Sequence, residues 1–158
     1  MVEFIDKFKE QLLSKISKEE PLEEKALDNS IALGVLLWVV AEADKKFKPE
    51  ELDKIKETLT SHAKVSQEEI PVVLETIKQA AQERIDIWSF THLFTKIPDP
   101  EKTAIIENLF RVACSDKDLD FDEIETIRRM AGLMKVSHSA FIDAKIKIKK
   151  EFGLETVN

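Results

Sequence analysis

The stretch LWVVAEADKKFKPEELDKI, residues 37–55, is the most informative part of the chain, because it recurs as LFRVACSDKDLDFDEIETI at residues 109–127. The copies align without a gap at an offset of 72 residues, and seven of nineteen pairs are identical. The identical pairs are Leu37/Leu109, Val40/Val112, Ala41/Ala113, Asp44/Asp116, Lys45/Lys117, Glu51/Glu123 and Ile55/Ile127. A shared core accounts for the apolar identities, but carboxylates are seldom buried without partners. The repeated acids therefore mark the connection between two helices as the best functional lead.

The composition predicts an all-α protein that forms a single domain over residues 1–158. Three Gly and five Pro among 158 residues leave few places for tight turns, and the abundant Leu, Ile, Ala, Lys and Glu favour helix. The chain contains no flexible linker or low-complexity segment. The apolar periodicity predicts about eight helices: over about residues 2–17, 21–43, from 49, from 66, 86–96, 100–115, 121–134 and from 137.

Local signals support the predicted helix ends. Ser66 with Glu69, and Asp120 with Glu123, have the spacing of capping boxes. Asp99 is expected to cap the sixth helix, with Pro100 in its first turn. Residues 31–41 are apolar nearly all round, which places the second helix at the centre of a bundle.

The repeat extends beyond the first match, because K-V-S at residues 64–66 recurs at residues 135–137 with an offset of 71. Each half therefore contains a long helix, an acidic connection, a second helix, a K-V-S cap and a third helix. We expect halves at about 22–84 and 99–152, packed about a pseudo-twofold axis because one unit is too small to bury its own faces. Residues 1–17 are expected to pack as an additional N-terminal helix.

Charge and hydropathy exclude several classes of partner. A net charge of −7 disfavours nucleic-acid binding, which needs a basic face. The apolar run at residues 31–41 is too short to cross a bilayer, so any membrane association would be peripheral and through a partner. The N-terminus MVEFIDKFKE is acidic and amphipathic, unlike a secretory signal, and a single Cys fits a reducing cytoplasm.

The acidic connections predict a cation site. Asp44 ends one helix and Glu51 opens the next, so folding brings them together, and Asp116 and Glu123 repeat this arrangement. Oxygen-rich clusters suit hard cations such as Ca²⁺ or Mg²⁺. The candidate metal ligands are Asp44, Glu51, Asp116, Asp118, Asp120 and Glu123.

The run from Asp116 to Asp122 superficially suggests an EF-hand, but its spacing excludes one. Counting from Asp116, position six is Phe121 where the loop needs Gly, and position twelve is Ile127 where it needs Glu. A cation site here must have another geometry.

A purely structural interpretation competes with the metal site. Glu51 and Glu123 each stand three residues after a presumed N-cap, where a carboxylate caps the helix and complements its dipole. Asp44 and Asp116 lack this explanation, because they lie near helix C-termini, where the dipole disfavours negative charge. The two Asp residues therefore carry the functional hypothesis.

These residues carry a family resemblance. The chain resembles the tellurite-resistance TerB family over about residues 25–150, most clearly at residues 110–145. The pattern that carries the resemblance is an apolar helix that ends in A-E-A-D or A-C-S-D, then a short connection, and then E-E-L or D-E-I. The resemblance implies two related helical halves and an acidic surface proposed to bind divalent cations, with Asp44, Glu51, Asp116 and Glu123 in the matching positions. It also implies a setting in tellurium or stress-response operons, and a related module occurs in a membrane-anchored DnaJ-type co-chaperone.

The chain departs from the family pattern in the residue after each Asp. The family commonly has Gly there, which permits a left-handed turn, whereas this chain has Lys45 and Lys117. We expect Lys to disfavour that turn and either lysine to neutralise its neighbouring acid. The first connection is richer in lysine, so the second, Asp116 to Glu123, is the preferred site.

Other chemistry has weaker support. The chain has no nucleophile with a base and no phosphate-binding loop, so we expect a non-enzymatic protein; a metal-dependent hydrolase is the weakest alternative. Three scattered His residues and no Cys cluster argue against zinc. Cys114 fits a small buried hydrophobe, with a thiol for metalloid oxyanions as the alternative. The main alternative to cation binding is a metal-free interaction or co-chaperone-like adaptor module with an unidentified protein partner.

Overall fold

The computed structural model describes residues 24–83 and 87–154, and this part of the chain is all helical, as predicted. Its helices are α1 Glu24–Glu42, α2 Pro49–Ser61, α3 Ile70–Gln82, the short α4 Trp88–Thr91, α5 Asp99–Cys114, α6 Phe121–Leu133 and α7 His138–Glu151. A 3₁₀ turn, His92–Phe94, continues α4. The helix predicted over residues 2–17 lies outside the described residues.

The two long helices α1 and α5 form the centre of the bundle. Residues 31–37 of α1 are all buried, as its continuous apolar run predicted, and α1 contacts each of α2 to α6. In α5 the fully buried positions include Ile106, Leu109 and Phe110. Burial of each such side chain contributes roughly 1.5–3 kcal/mol, so these helices dominate the core.

The local helix signals were mostly accurate. Ser66 and Glu69 exchange the hydrogen bonds of a capping box, with Glu69 N donating to Ser66 Oγ at 3.3 Å. The helix predicted from residue 66 begins instead at Ile70, with Glu69 at its N-cap, because residues 67–69 form a turn. Ser137 caps α7 by accepting from Ala140 N at 3.1 Å. The predicted N-cap of α5 was wrong: Pro98 holds that position, and Asp99 is the first helical residue.

Corresponding helices of the two sequence copies make corresponding contacts. The helix α1 packs on α3 as α5 packs on α7, and α2 contacts α5 as α6 contacts α1. The connections have the same length, residues 43–48 between α1 and α2 and residues 115–120 between α5 and α6. We call these the first joint and the second joint. The predicted halves and their pseudo-twofold relation stay predictions.

Among the helices of the described ranges, none is both long and apolar enough to cross a membrane.

Candidate metal centre

The two joints follow the same backbone path. Asp44 Oδ1 accepts a hydrogen bond from Lys46 N at 2.9 Å, and Asp116 Oδ1 accepts one from Asp118 N at 3.0 Å. These are Asx turns, in which an Asp side chain braces the backbone two residues on. The prediction that Asp44 and Asp116 lack a structural role was therefore wrong.

The lysine after each Asp adopts the left-handed conformation. The φ angles are 62° at Lys45 and 68° at Lys117, and the K-V-S lysines Lys64 and Lys135 follow at 61° and 66°. We expected Lys to disfavour this turn, and the turn nevertheless forms at both positions. Each joint keeps the left-handed turn that Gly adopts at the lowest energetic cost, and the hydrogen bond of the Asx turn helps to stabilise this turn.

Glu51 and Glu123 have the capping role that their position predicted. Glu51 Oε1 accepts from Lys48 N at 2.9 Å, and Glu123 Oε1 accepts from Asp120 N at 3.1 Å. Capping does not account for their burial, however, because both residues are 0% exposed. A capping glutamate in a first helical turn needs only one oxygen at the backbone and normally keeps the other in water.

The second oxygens of these glutamates are buried without a donor. Within the part of the chain that the structure describes, neither Glu51 Oε2 nor Glu123 Oε2 has a hydrogen-bond partner. The two carboxylates lie close enough that each changes the pKa of the other through a side-chain contact. Since ionised carboxylates are acceptors only, this contact becomes a hydrogen bond only when one of them carries a proton.

Asp44 joins this buried pair. Asp44, Glu51 and Glu123 each place one carboxylate oxygen within 4.8 Å of the other two. Ca²⁺ binds oxygens at about 2.3–2.6 Å, so two ligands on opposite sides of the ion are about 4.6–5.2 Å apart. The three oxygens therefore span a distance that one cation can bridge. The donor set, carboxylates from three positions, suits a hard divalent ion.

Burial dominates the electrostatics of the pair. Burial raises the pKa of Glu51, and the negative charges of Asp44 and Asp116 act in the same direction. Burial, the contact with Glu51 and the charge of Asp44 together raise the pKa of Glu123 to about 9, against the opposing effect of the hydrogen bond from Asp120 N. Each ionised carboxylate is costly in this setting unless a positive charge or a shared proton offsets it.

The other three predicted ligands lie outside this group of three. Asp116 Oδ2 is 2.7 Å from Lys48 Nζ. Asp118 is exposed, and Asp120 Oδ2 caps α6 by accepting from Asp122 N at 2.8 Å. Their role as metal ligands stays a prediction. The structure thus brings carboxylates from around both joints into one group, whereas the sequence suggested a separate site at each joint.

Lys48 is the residue whose role sequence reasoning missed. We expected Lys45 or Lys117 to neutralise an acid, but Lys117 Nζ instead donates to Phe152 O at 2.8 Å. Lys48 pairs with an acid 68 positions away in sequence, and no local pattern encodes that contact. The one available signal was that Lys48 aligns with Asp120 in the repeat, a reversal of charge at an N-cap.

Cys114 is a core residue beside the second joint. It is 0% exposed, and burial raises the pKa of its thiol to about 12. The thiol is therefore protonated and shielded at neutral pH, as expected of a small buried hydrophobe.

The fold and site define a class: an all-helical domain built on a repeated helix–joint–helix pattern, whose joints bring carboxylates together inside the bundle. The family model described as Tellurite resistance protein TerB matches residues 30–146, nearly three quarters of the chain. The chain belongs to the TerB family. No curated protein and no solved structure gives a significant match.

Proposed function

We propose that this TerB domain binds one divalent cation, Ca²⁺ or Mg²⁺, between its two joints, with Asp44, Glu51 and Glu123 as protein ligands. The observation that carries the proposal is the pair of buried, donor-free oxygens, Glu51 Oε2 and Glu123 Oε2. Water and backbone carbonyls would complete the coordination, since Ca²⁺ takes six to eight oxygens and Mg²⁺ takes six.

The electrostatic balance supports a cation over an empty pair. Two carboxylates in contact inside a protein cannot both stay ionised without compensation. A shared proton compensates one charge, whereas a divalent cation compensates two and also engages Asp44. Because the cation replaces the proton, we expect binding to strengthen as the pH rises and to release protons.

The metal-free alternative, an acidic surface that docks a basic protein, explains these two residues less well. A partner's side chain reaches exposed acids such as Asp118 and Asp122, but it does not reach Glu51 and Glu123, which are 0% exposed. We therefore assign the buried carboxylates to a cation and leave the exposed acids Asp118 and Asp122 for a protein partner.

We further propose that the domain is a non-enzymatic component of a cytoplasmic tellurite-resistance or stress-response system. Membership of the TerB family supports this setting. The joint carboxylates have local structural roles, in Asx turns and caps, that fit binding better than turnover.

Calcium and magnesium titrations test the proposal, followed by calorimetry and by amide NMR shifts. We expect one equivalent of cation to bind, with shifts concentrated in both joints. Glu51→Gln should weaken binding by more than about tenfold, since it removes a charged ligand yet keeps the oxygen that caps α2. Asp44→Asn should also weaken it.

Glu50→Gln is the matched control, because Glu50 is the exposed neighbour of Glu51 in the same helical turn. It removes the same formal charge without touching the buried pair, so its affinity should stay within about twofold of the wild type. Equal losses in the two variants would assign the effect to general surface charge. No binding at millimolar Ca²⁺ or Mg²⁺ would overturn the proposal.

A further inference from the structure

The ion pair between Lys48 and Asp116 crosses from one joint to the other. Lys48 Nζ lies 2.7 Å from Asp116 Oδ2, with the Asp116 side chain only 6% exposed and that of Lys48 35% exposed. The Asp116 carboxylate is largely shielded from water, and the hydrogen bond and positive charge of Lys48 compensate for this. A pair with one buried and one partly exposed partner holds its geometry better than a fully exposed one.

The repeat shows why only one Asp is held in this way. At the offset of 72 residues, Lys48 of the first joint aligns with Asp120 of the second. Asp120 caps its own helix, whereas Lys48 reaches across to Asp116. The symmetry-equivalent contact would join Asp120 to Asp44, two carboxylates that repel. Asp44 lies instead beside Glu51 and Glu123.

Lys48 also places a positive charge at the edge of the carboxylate group. Asp116 raises the pKa of Lys48 by hydrogen bond and by charge, and Asp118 and Asp44 raise it further. An incoming cation therefore meets a lysine whose charge already interacts with Asp44, one of its three proposed ligands. Lysine is a compact point charge on a flexible stem, well suited to compete with a small ion.

We propose that Lys48 is an affinity-determining residue of the cation site: it keeps Asp116 out of the coordination shell and limits the site to three carboxylates. This inference rests on the proposed cation site. Removal of the lysine charge frees Asp116 to become a fourth carboxylate ligand and removes a repulsion, so the affinity for a divalent ion increases.

Calorimetric titration of Ca²⁺ and Mg²⁺ into Lys48→Met tests the inference. Methionine retains an unbranched apolar side chain but has no charge. We expect binding at least about tenfold tighter than in the wild type, from one lost repulsion and one gained ligand. Lys46→Met is the matched control, since Lys46 is an exposed lysine of the same joint and its loss changes the net charge equally.

A double-mutant cycle with Asp116→Asn isolates the role of Asp116. In the wild-type background we expect Asp116→Asn to change affinity little, because Lys48 occupies that carboxylate. In the Lys48→Met background it should abolish most of the gain. Lys48→Arg keeps the ion pair and should bind as the wild type does, and thermal unfolding by circular dichroism checks that each variant is folded.

The outcomes separate this inference from the proposed function. If the wild type binds but Lys48→Met and Lys46→Met bind equally well, the role of Lys48 is wrong and the site stands. If the wild type does not bind but Lys48→Met does, through Asp116, then Lys48 blocks the site and the proposed function is wrong. If no variant binds either cation, both proposals are wrong.

Discussion

Glu51 and Glu123 each combine a helix cap with a buried carboxylate oxygen that has no donor. An exposed glutamate in a first helical turn provides this capping hydrogen bond equally well. Burial of both second oxygens in contact is unfavourable for the metal-free protein. The pair therefore lowers the stability of the metal-free protein and provides ligands in the metal-bound protein, a combination that is common at binding sites.

Replacement of Glu123 by Gln should stabilise the metal-free protein while it weakens cation binding. Gln keeps an oxygen for Asp120 N and adds an NH₂ group that donates to Glu51 Oε2, so it makes without a bound proton the hydrogen bond for which Glu123 must take up a proton at pH 8. We expect a gain of about 1–2 kcal/mol at pH 8, measured by urea unfolding in a chelator. Asp122→Asn, at an exposed neighbour, should change stability by less than about 0.5 kcal/mol.

The same substitution should reduce the pH dependence of stability. The raised pKa of Glu123 means that the folded protein holds this proton more tightly than the unfolded chain. That contribution is fully present below the ordinary value of 4.5 and is lost as the pH rises through about 9. Metal-free wild type should therefore lose stability across this range, with a smaller slope in Glu123→Gln and under saturating Ca²⁺. Equal slopes in all three would contradict the buried-pair account.

At the scale of the element, the joints show how a repeated backbone persists despite unfavourable residues. Lys45 and Lys117 both adopt positive φ, where an L-residue costs about 1–2 kcal/mol. The two copies nevertheless differ in what the lysine side chain does. Lys45 is exposed, whereas Lys117 Nζ donates to Phe152 O beyond α7 and lies 5.7 Å from the centroid of its ring.

Glycine substitutions should separate backbone strain from side-chain contact. Lys45→Gly relieves the left-handed strain, offset in part by the greater freedom of Gly in the unfolded chain, so we expect a net gain of about 0.5–1 kcal/mol. Lys117→Gly relieves the same strain but loses the contact with Phe152, so it should be less stabilising by roughly 1 kcal/mol. Chemical denaturation of both variants measures the difference, and identical effects would show that the Phe152 contact contributes nothing.

At the scale of the whole molecule, close packing of α1 on the other helices positions the first joint. Gly34 lies where α1 meets α3, and a Cβ atom there would overlap the side chain of Ile77. Gly34 and Ile77 are both buried, and Ile77 is 0% exposed. The absence of a side chain at Gly34 thus sets how closely α1 approaches α3.

Gly34→Ala should destabilise the protein by about 1–3 kcal/mol through overpacking, as seen in the thermal midpoint. Gly132→Ala is the matched control, because it also lies within a helix but a Cβ there meets nothing within 4 Å. That change should stabilise by about 0.5–1 kcal/mol through helix propensity. Ile77→Val should partly restore Gly34→Ala, and a neutral Gly34→Ala would refute the packing argument.

Local sequence is sufficient to predict the helices of the described residues, most of their caps and the two joints, because these depend on contacts within about four residues. The apolar run at residues 31–41 predicted the central helix, and the spacing of Asp120 to Glu123 predicted a capping box that the structure contains. The repeat also located the acidic residues, and the family match over residues 30–146 agrees with that pattern.

Which acids meet depends on the tertiary structure. Asp44 of the first joint and Glu51 of α2 lie with Glu123 of α6, and Lys48 of the first joint reaches Asp116 of the second. These distances depend on how α1, α2, α5 and α6 pack together, and packing joins residues about 70 positions apart that share no local pattern. Burial also depends on tertiary packing. A carboxylate that the sequence identifies as a helix cap becomes a candidate ligand only when the folded bundle buries it.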